Sequence, residues 1–199
     1  MISVLAHSSA LDLSAIRPGP LERPSRRHER AWVRAAQTGS HEGMEALFRA
    51  HWAPAHRAAF LIVHDAAAAE DIAQEAFLAA IRALDRFDRR RPFGPWLHRI
   101  VVNRAIDWAR ARSLRREISE TPGAEDFDTG DLGTFSDGVA AGLASLSPEH
   151  RAVIVLRYLL EYTPGEIADL LELPRGTVNS RLRRGLDALG RAMTGEAGP

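Results

Sequence analysis

Hydrogen-bond donors crowd one side of a predicted helix near the C-terminus. The opposite side is expected to pack inward, because at 100° per residue four apolar residues share a narrow sector: Val178, Leu182, Leu186 and Leu189. The outward side and its flanks carry Thr177, Asn179, Ser180, Arg181, Arg183 and Arg184. Such side chains can donate hydrogen bonds to base edges or phosphates in a major groove. The pattern favours a DNA-reading helix, with a solvated arginine-rich surface as the alternative.

A second stretch, residues 87–116, interleaves aromatic rings with arginines. Rings that can stack on bases, set among cations that attract phosphates, are typical of proteins that bind single-stranded nucleic acid. In helical projection one face carries Trp96, Arg99, Asn103 and Arg110, whereas the inward positions are Leu97, Val101, Ala105 and Trp108. For Trp96 and Trp108 core packing remains an equal alternative to base stacking.

The amino-acid composition excludes most kinds of catalytic centre. Cysteine is absent, which excludes disulfides, thiolate nucleophiles and cysteine-bound zinc. All 26 basic residues are arginine, so a phosphate-loop lysine, a Schiff base and a Ser–Lys dyad are excluded as well. His51 and His56 are five positions apart and do not share a helix face as a metal-binding pair does. We therefore expect no catalytic centre, no metal and no cofactor.

The charge is segregated along the chain although its formal net value is zero. Residues 119–147 contain no basic residue and six acids, namely Glu120, Glu125, Asp126, Asp128, Asp131 and Asp137. A neutral chain with local basic faces fits a protein that meets DNA together with a larger partner. No apolar run approaches the roughly 20 residues of a membrane span, and Asp12 precedes every basic residue, unlike a secretory signal. A cytoplasmic location is expected.

The periodicity predicts an all-α chain with two helical domains. Residues 1–40 are expected to be a disordered extension because prolines interrupt a sequence with little periodicity. Residues 41–118 are expected to form three or four helices, 119–140 an acidic linker, 141–193 a second helical domain and 194–199 a tail.

A helix-turn-helix is predicted inside the second domain. Thr163, Pro164 and Glu166 have the spacing of a capping box, so a helix begins there. Pro174 ends that helix, and Gly176 is expected to loosen the connection to the donor-bearing helix that follows.

Four segments carry a resemblance to a known family. LSPEHRAV at 146–153 and GTVNSRL at 176–182 resemble sigma factor region 4, AEDIAQEAFL at 69–78 resembles region 2.2, and WLHRIVVNRAID at 96–107 resembles regions 2.3 to 2.4. Together they resemble the extracytoplasmic-function (ECF) sigma factors of bacterial RNA polymerase. The resemblance implies a region 2 helical bundle and a region 4 helix-turn-helix joined by a flexible linker.

The resemblance also implies partners and site residues. Core RNA polymerase is expected to bind a stripe that helical projection exposes, formed by Asp71, Gln74, Glu75 and Leu78. Melted minus-10 DNA is assigned to Phe93, Trp96, Arg99, Asn103, Arg104 and Arg110, with Asn103 reading a base. Minus-35 DNA is assigned to Arg175, Thr177, Asn179, Ser180, Arg181, Arg183 and Arg184. An anti-sigma factor is the expected inhibitor, and neither membrane insertion nor a small-molecule substrate is expected.

Two other classes of protein remain open at this point. A dimeric helix-turn-helix regulator explains residues 143–191 and leaves the segments at 69–78 and 96–107 unexplained. A pure interaction protein would tolerate the loss of Arg183 and Arg184. For the linker, mimicry of nucleic acid by its acids and a simple solvated tether are equally compatible with the composition.

Overall fold

The computed structural model describes residues 24–118 and 137–194, and within them the chain forms eight α-helices and no strand. The all-α prediction is confirmed. A 3-10 turn, Leu84–Arg86, follows the third helix, and a π-helical segment, Val155–Leu159, continues the sixth. The helices are α1 Arg26–Gln37, α2 His41–Val63, α3 Ala66–Ala83, α4 Phe93–Ile118, α5 Asp137–Ala144, α6 Pro148–Ile154, α7 Pro164–Leu171 and α8 Arg175–Thr194.

Helix α1 corrects the expectation that the first forty residues are disordered. It packs on α2 through buried Val33 and Ala36. The two helices approach so closely that a Cβ atom on Gly43 would lie 2.7 Å from the backbone nitrogen of Ala36. This short amphipathic helix is basic and follows prolines. It has few apolar positions, so its hydrophobic periodicity is weak and the sequence did not predict it. Residues 1–23 lie outside the described part of the chain.

Helices α2, α3 and α4 form the rest of the first domain. Asp65 begins α3 by accepting a hydrogen bond from the Ala68 amide at 2.9 Å, as an N-cap residue does. One side of α3 is buried as its periodicity predicts, comprising Ala73, Ala76, Phe77, Ala80 and the following Leu84. The opposite side of α3 is thereby held out to solvent.

The second domain contains the predicted helix-turn-helix, formed by α7 and α8. The capping box is present in full, because Thr163 accepts from the Glu166 amide and Glu166 accepts from the Thr163 amide. The turn differs from the expectation in one respect. Glu172, with φ of 54°, adopts the left-handed conformation that ends α7, whereas Gly176 lies in the first turn of α8. The linker prediction is also corrected at its end, because α5 begins at Asp137; residues 119–136 lie outside the described part.

The two domains pack against each other, with α2 and α4 contacting α5, α6 and α7. Arg151 of α6 joins them, since its guanidinium donates to the carbonyl of Ile62 at 2.5 Å and to that of Leu146 at 2.7 Å. A cavity of about 320 Å³ lies beside it, lined from α4 by Trp108 and from α5 by Ala144. The periodicity predicted two modules but did not predict this contact.

His64, the left-handed residue that ends α2, makes the fold sensitive to acid. Burial, together with the positive charge of Arg151, lowers the pKa of His64 from 6.5 to about 3. Below pH 6.5 the His64 side chain is therefore protonated in the unfolded chain but stays neutral in the folded chain. We expect stability to fall by about 2 kcal/mol between pH 7.5 and pH 5. His64→Asn, which tolerates the same backbone conformation, should remove this loss.

Chemical denaturation at the two pH values measures the effect. His41→Asn, at an exposed position on α2, is the matched control and should retain the acid-dependent loss. An equal loss of stability in the His64→Asn protein would contradict the assignment.

Candidate nucleic-acid interface

The N-terminus of α4 is fixed by a buried carboxylate from α1. Glu29 accepts hydrogen bonds from the Phe93 and Gly94 amides, each at 3.1 Å, and lies 3.1 Å from Nε2 of His51. Burial alone would raise the pKa of the Glu29 carboxyl, but the hydrogen bond and charge of His51 and the two amides hold the pKa below 4.5. A carboxylate is favoured there because the first amides of a helix carry partial positive charge. Glu29 thus sets where α4 begins.

Two aromatic residues assigned to minus-10 DNA serve mainly in packing. Phe93 is only 2% exposed, so its assignment as a DNA contact is corrected: its ring belongs to the core. Trp96 is half-buried, with its ring centroid 4.5 Å from that of Phe87 and 5.6 Å from that of Phe93. The core role, one of the two alternatives for Trp96, is the one that this packing supports.

The polar residues assigned to minus-10 DNA lie on α4 as projected. Asn103 and Arg110 are exposed, and Arg99 and Arg104 are half-buried. Each arginine holds a carboxylate from another element: Arg99 pairs with Glu172 at 2.7 Å, Arg104 with Glu75 at 2.6 Å, and Arg110 with Glu149 at 2.6 Å. These cations are already oriented, and their partners are exchangeable because in each pair at least one of the two side chains is more than half exposed to water.

Helix α8 presents the donor-bearing face that its sequence predicts. Val178 and Leu189 are fully buried, and Leu182 and Leu186 are half-buried against the domain. Of the residues assigned to minus-35 DNA, Arg175, Asn179, Arg183 and Arg184 are exposed, whereas Thr177, Ser180 and Arg181 are half-buried. The face can therefore meet a DNA groove without rearrangement of α8.

The exposed side of α3 carries all four residues assigned to polymerase binding. Asp71, Gln74, Glu75 and Leu78 are each exposed, and Leu78 reaches 51%. We call these four residues the α3 stripe.

Two apolar residues that the sequence did not single out are also exposed in this region of α2 and α3. Phe48 and Ile81 are each 43% exposed, and the Phe48 ring lies 5.1 Å from that of buried Phe77. The helical spacing of Ile81 from Leu78 could have revealed it. Phe48 comes from another helix and could not be found that way. A mixed acidic and apolar surface of this kind is typical of protein interfaces.

The described part of the chain has the features of neither a membrane span nor a metal site. No helix there has the length and apolar character of a membrane span. Within the same residues no three histidine or acidic side chains lie together as a metal site requires.

Two helical modules, one with a helix-turn-helix and one with a helix face that carries arginines, fit the class of helical promoter-binding transcription factors. Comparison with known families matches residues 47–115 to "Sigma-70 region 2" and residues 142–190 to "Sigma-70, region 4". The ECF RNA polymerase sigma factor SigW of Bacillus subtilis is 36% identical over 142 residues, covering 64% of this chain and 74% of SigW. SigL of Mycobacterium tuberculosis is 36% identical over 152 residues, covering 73% of this chain and 86% of SigL.

Solved structures agree with the sequence relatives. CnrH in complex with the cytosolic domain of CnrY has a TM-score of 0.65 at 27% identity, covering 85% of this chain and 99% of CnrH. The sigma factor RpoE of Bartonella quintana, in complex with the anti-sigma factor NepR, has the same fold, with a TM-score of 0.60 at 19% identity over 75% of this chain and 96% of RpoE. The chain belongs to the ECF sigma factors of RNA polymerase. The alternative of an independent helix-turn-helix regulator is set aside, since both sigma regions are present.

Proposed function

We propose that the chain binds core RNA polymerase through the α3 stripe and directs promoter-specific initiation with two DNA-reading helices. Helix α8 reads the minus-35 duplex, and α4 reads melted minus-10 DNA. The observation that carries the proposal is that α4 and α8, in different domains, each present exposed polar side chains, while the α3 stripe leaves a third surface for the polymerase. Different partners can thus be engaged at once.

At the minus-35 element, α8 is expected to lie in the major groove. Arginine pairs with guanine edges and phosphates, and asparagine pairs with adenine, so Arg183, Arg184 and Asn179 offer both base reading and backbone contacts. The half-buried Thr177, Ser180 and Arg181 lie at the edge of the same face, and Arg175 begins the helix. Because α7 packs on α8, the helix enters the groove as a fixed unit.

At the minus-10 element, capture of an unstacked base drives strand opening. Extrusion of a base costs a few kcal/mol, which hydrogen bonding and phosphate contacts can offset without any covalent step. Asn103 is exposed on α4 and can both donate to and accept from a base edge. Arg99, Arg104 and Arg110 then contact the backbone of the strand, and Trp96 supports them by its packing.

The proposal includes the remaining partners and the cellular location. We infer that the protein acts in the cytoplasm as a non-catalytic factor without metal or cofactor, because its chemistry is binding alone. CnrH was solved with the cytosolic domain of CnrY, and we expect an anti-sigma factor to inhibit this chain as well. A role of the acidic linker in mimicking nucleic acid concerns residues 119–136, outside the described part.

In vitro transcription tests the function as a whole. Purified chain and core polymerase, incubated with a promoter library, are expected to select templates that contain two unlike elements. Core alone is the control. A chain that neither associates with core nor redirects it to any start site would end the proposal.

Substitution of both exposed arginines of α8 tests the minus-35 role. Arg183→Ala with Arg184→Ala should lower transcription from a promoter selected with the original protein by roughly thirtyfold or more, because each lost contact costs about 1–3 kcal/mol. Binding to core should be unchanged. The matched control removes two exposed arginines of α1 by Arg26→Ala with Arg27→Ala. Full transcription by the α8 variant would assign this helix to some other interaction.

A further inference from the structure

Six exposed arginines lie where α1 passes the segment that leads into α4, residues 84–92. Gln37 of α1 donates to the carbonyls of Leu84 and Phe87 at 2.8 and 3.0 Å. One turn or more towards the start of α1, Arg30 donates to the carbonyl of Arg90 at 3.4 Å. We call the six exposed residues the arginine patch: Arg30 and Arg34 of α1 with Arg86, Arg89, Arg90 and Arg91 of the segment.

The charge of the arginine patch is not neutralised by the fold. Within residues 24–118 and 137–194, none of its six guanidinium groups forms an ion pair, whereas each arginine of α4 assigned to DNA holds a carboxylate. Two exposed acids, Asp85 and Asp88, lie in the same segment. Asp88 also shapes the turn, because its carboxylate accepts from the amide of Arg90 at 2.9 Å. Six positive charges against two negative ones repel each other, so the surface is complementary to an anion.

The fold holds the arginine patch beside the N-terminal end of α4. Glu29 ties α1 to this end by accepting from the amides of Phe93 and Gly94. Arg91 is separated from the first residue of α4 by one position only. Asn103, assigned above to base reading, lies about 15 Å along the helix axis from Phe93. A DNA strand that continues from Asn103 past the start of α4 therefore meets the arginine patch.

We propose that the arginine patch binds the phosphate backbone of melted promoter DNA next to the minus-10 element, beyond the start of α4. The proposal rests on the minus-10 role assigned to α4 above. Phosphate is the partner that fits, because guanidinium groups bind phosphate oxygens through paired hydrogen bonds. The rings of Phe87 and Phe93 in this region are buried and cannot stack on bases. The contact is therefore made to the backbone and does not depend on base sequence.

Removal of two charges from the arginine patch tests the contact. Arg34→Gln with Arg89→Gln, here called the patch variant, takes one arginine from α1 and one from the segment; both are exposed. The matched control is Arg26→Gln with Arg27→Gln, which removes two exposed arginines from the first turn of the same helix. Arg26 lies on another surface, where it lines a cavity together with Tyr162.

Single-stranded DNA labelled with fluorescein reports the contact. The short probe contains only the minus-10 element of a selected promoter. Two long probes carry in addition roughly eight nucleotides, one on the 5′ side of the element and the other on the 3′ side. Each probe is titrated with the complex of core polymerase and the original protein, the patch variant or the control, at several salt concentrations.

We expect the patch variant to bind one of the two long probes about five- to thirtyfold more weakly than the original protein does, whatever the sequence of the added nucleotides. For that probe the plot of log affinity against log salt should become shallower by about 1.4, because two phosphate contacts are lost. The short probe should bind within about twofold of the original value, and the control should match the original protein on every probe. Unchanged affinity for both long probes, or an equal loss in the control, would overturn the assignment.

Titration of core polymerase separates a DNA contact from a protein contact. The patch variant should bind core as the original protein does. Weakened binding of core with unchanged binding of DNA would assign the arginine patch to a polymerase surface and overturn the DNA contact. Failure of the original complex to bind the short probe or to initiate would refute the proposed function itself. Normal binding of the short probe by every protein, with no loss on the long probes, would refute only the role of the arginine patch.

Discussion

Replacement of Asp71 by arginine is expected to weaken binding to core RNA polymerase by at least a hundredfold, roughly 3 kcal/mol, without unfolding the chain. Asp71 is exposed on α3 and is the first residue of the α3 stripe, which also presents Leu78. A polymerase surface that is complementary to acidic residues carries positive charge, so an arginine at position 71 is repelled by it. Because the side chain points to solvent, the change leaves the packing of α3 intact.

Co-purification of core with tagged chain, followed by titration, measures the effect. Asp187→Arg, a reversal of an exposed acid on α8, is the matched control and should bind core normally. Glu75→Arg is expected to abolish binding too, but Glu75 also pairs with Arg104, so Asp71 gives the clearer result. Retained binding by the Asp71→Arg protein, with unchanged thermal stability, would reject the assignment of the α3 stripe to polymerase.

Glu29→Ala is expected to destabilise the chain by about 3 kcal/mol and to lower its melting temperature by roughly 6–12 °C. The substitution leaves the amides of Phe93 and Gly94 without the carboxylate and leaves His51 buried without its partner. Loss of half of a buried, hydrogen-bonded pair is costly because the remaining polar groups stay desolvated. Glu45→Ala, which removes an exposed carboxylate of α2, should change stability by less than about 0.5 kcal/mol.

The lowered pKa of Glu29 predicts a second loss of stability in acid. The pKa of Glu29 is held below 4.5 in the fold, so its contribution is complete above pH 4.5 and disappears as the pH falls through the lowered value. Glu29→Gln, which keeps one acceptor oxygen, should be less destabilising than Glu29→Ala and should lack this loss. Thermal melts across pH 3 to 6 would contradict the role of Glu29 if the wild-type and glutamine proteins lost stability in parallel.

The sequence predicted local features well because their signals are local. The capping box at Thr163 and Glu166 was evident from spacing alone, and the structure contains both of its hydrogen bonds. The role of Phe93 could not be decided from local sequence signals. An aromatic ring among arginines fits either DNA stacking or core packing, and only the neighbouring rings of Phe87 and Trp96 decide for the core.

By itself the sequence determined that α3, α4, α7 and α8 are helical, which side of α3 and of α8 is apolar, and which family the chain resembles. Those properties depend on residues within a few turns of one another. The tertiary structure decided that Glu29 of α1 fixes the start of α4 and that two carboxylates of the second domain, Glu172 and Glu149, pair with Arg99 and Arg110 of α4. Hydrophobic periodicity predicts which side of a helix is buried or exposed, but it does not predict which other helix packs there. Pairs between distant residues, such as Arg99 and Glu172, form only when the whole chain has folded.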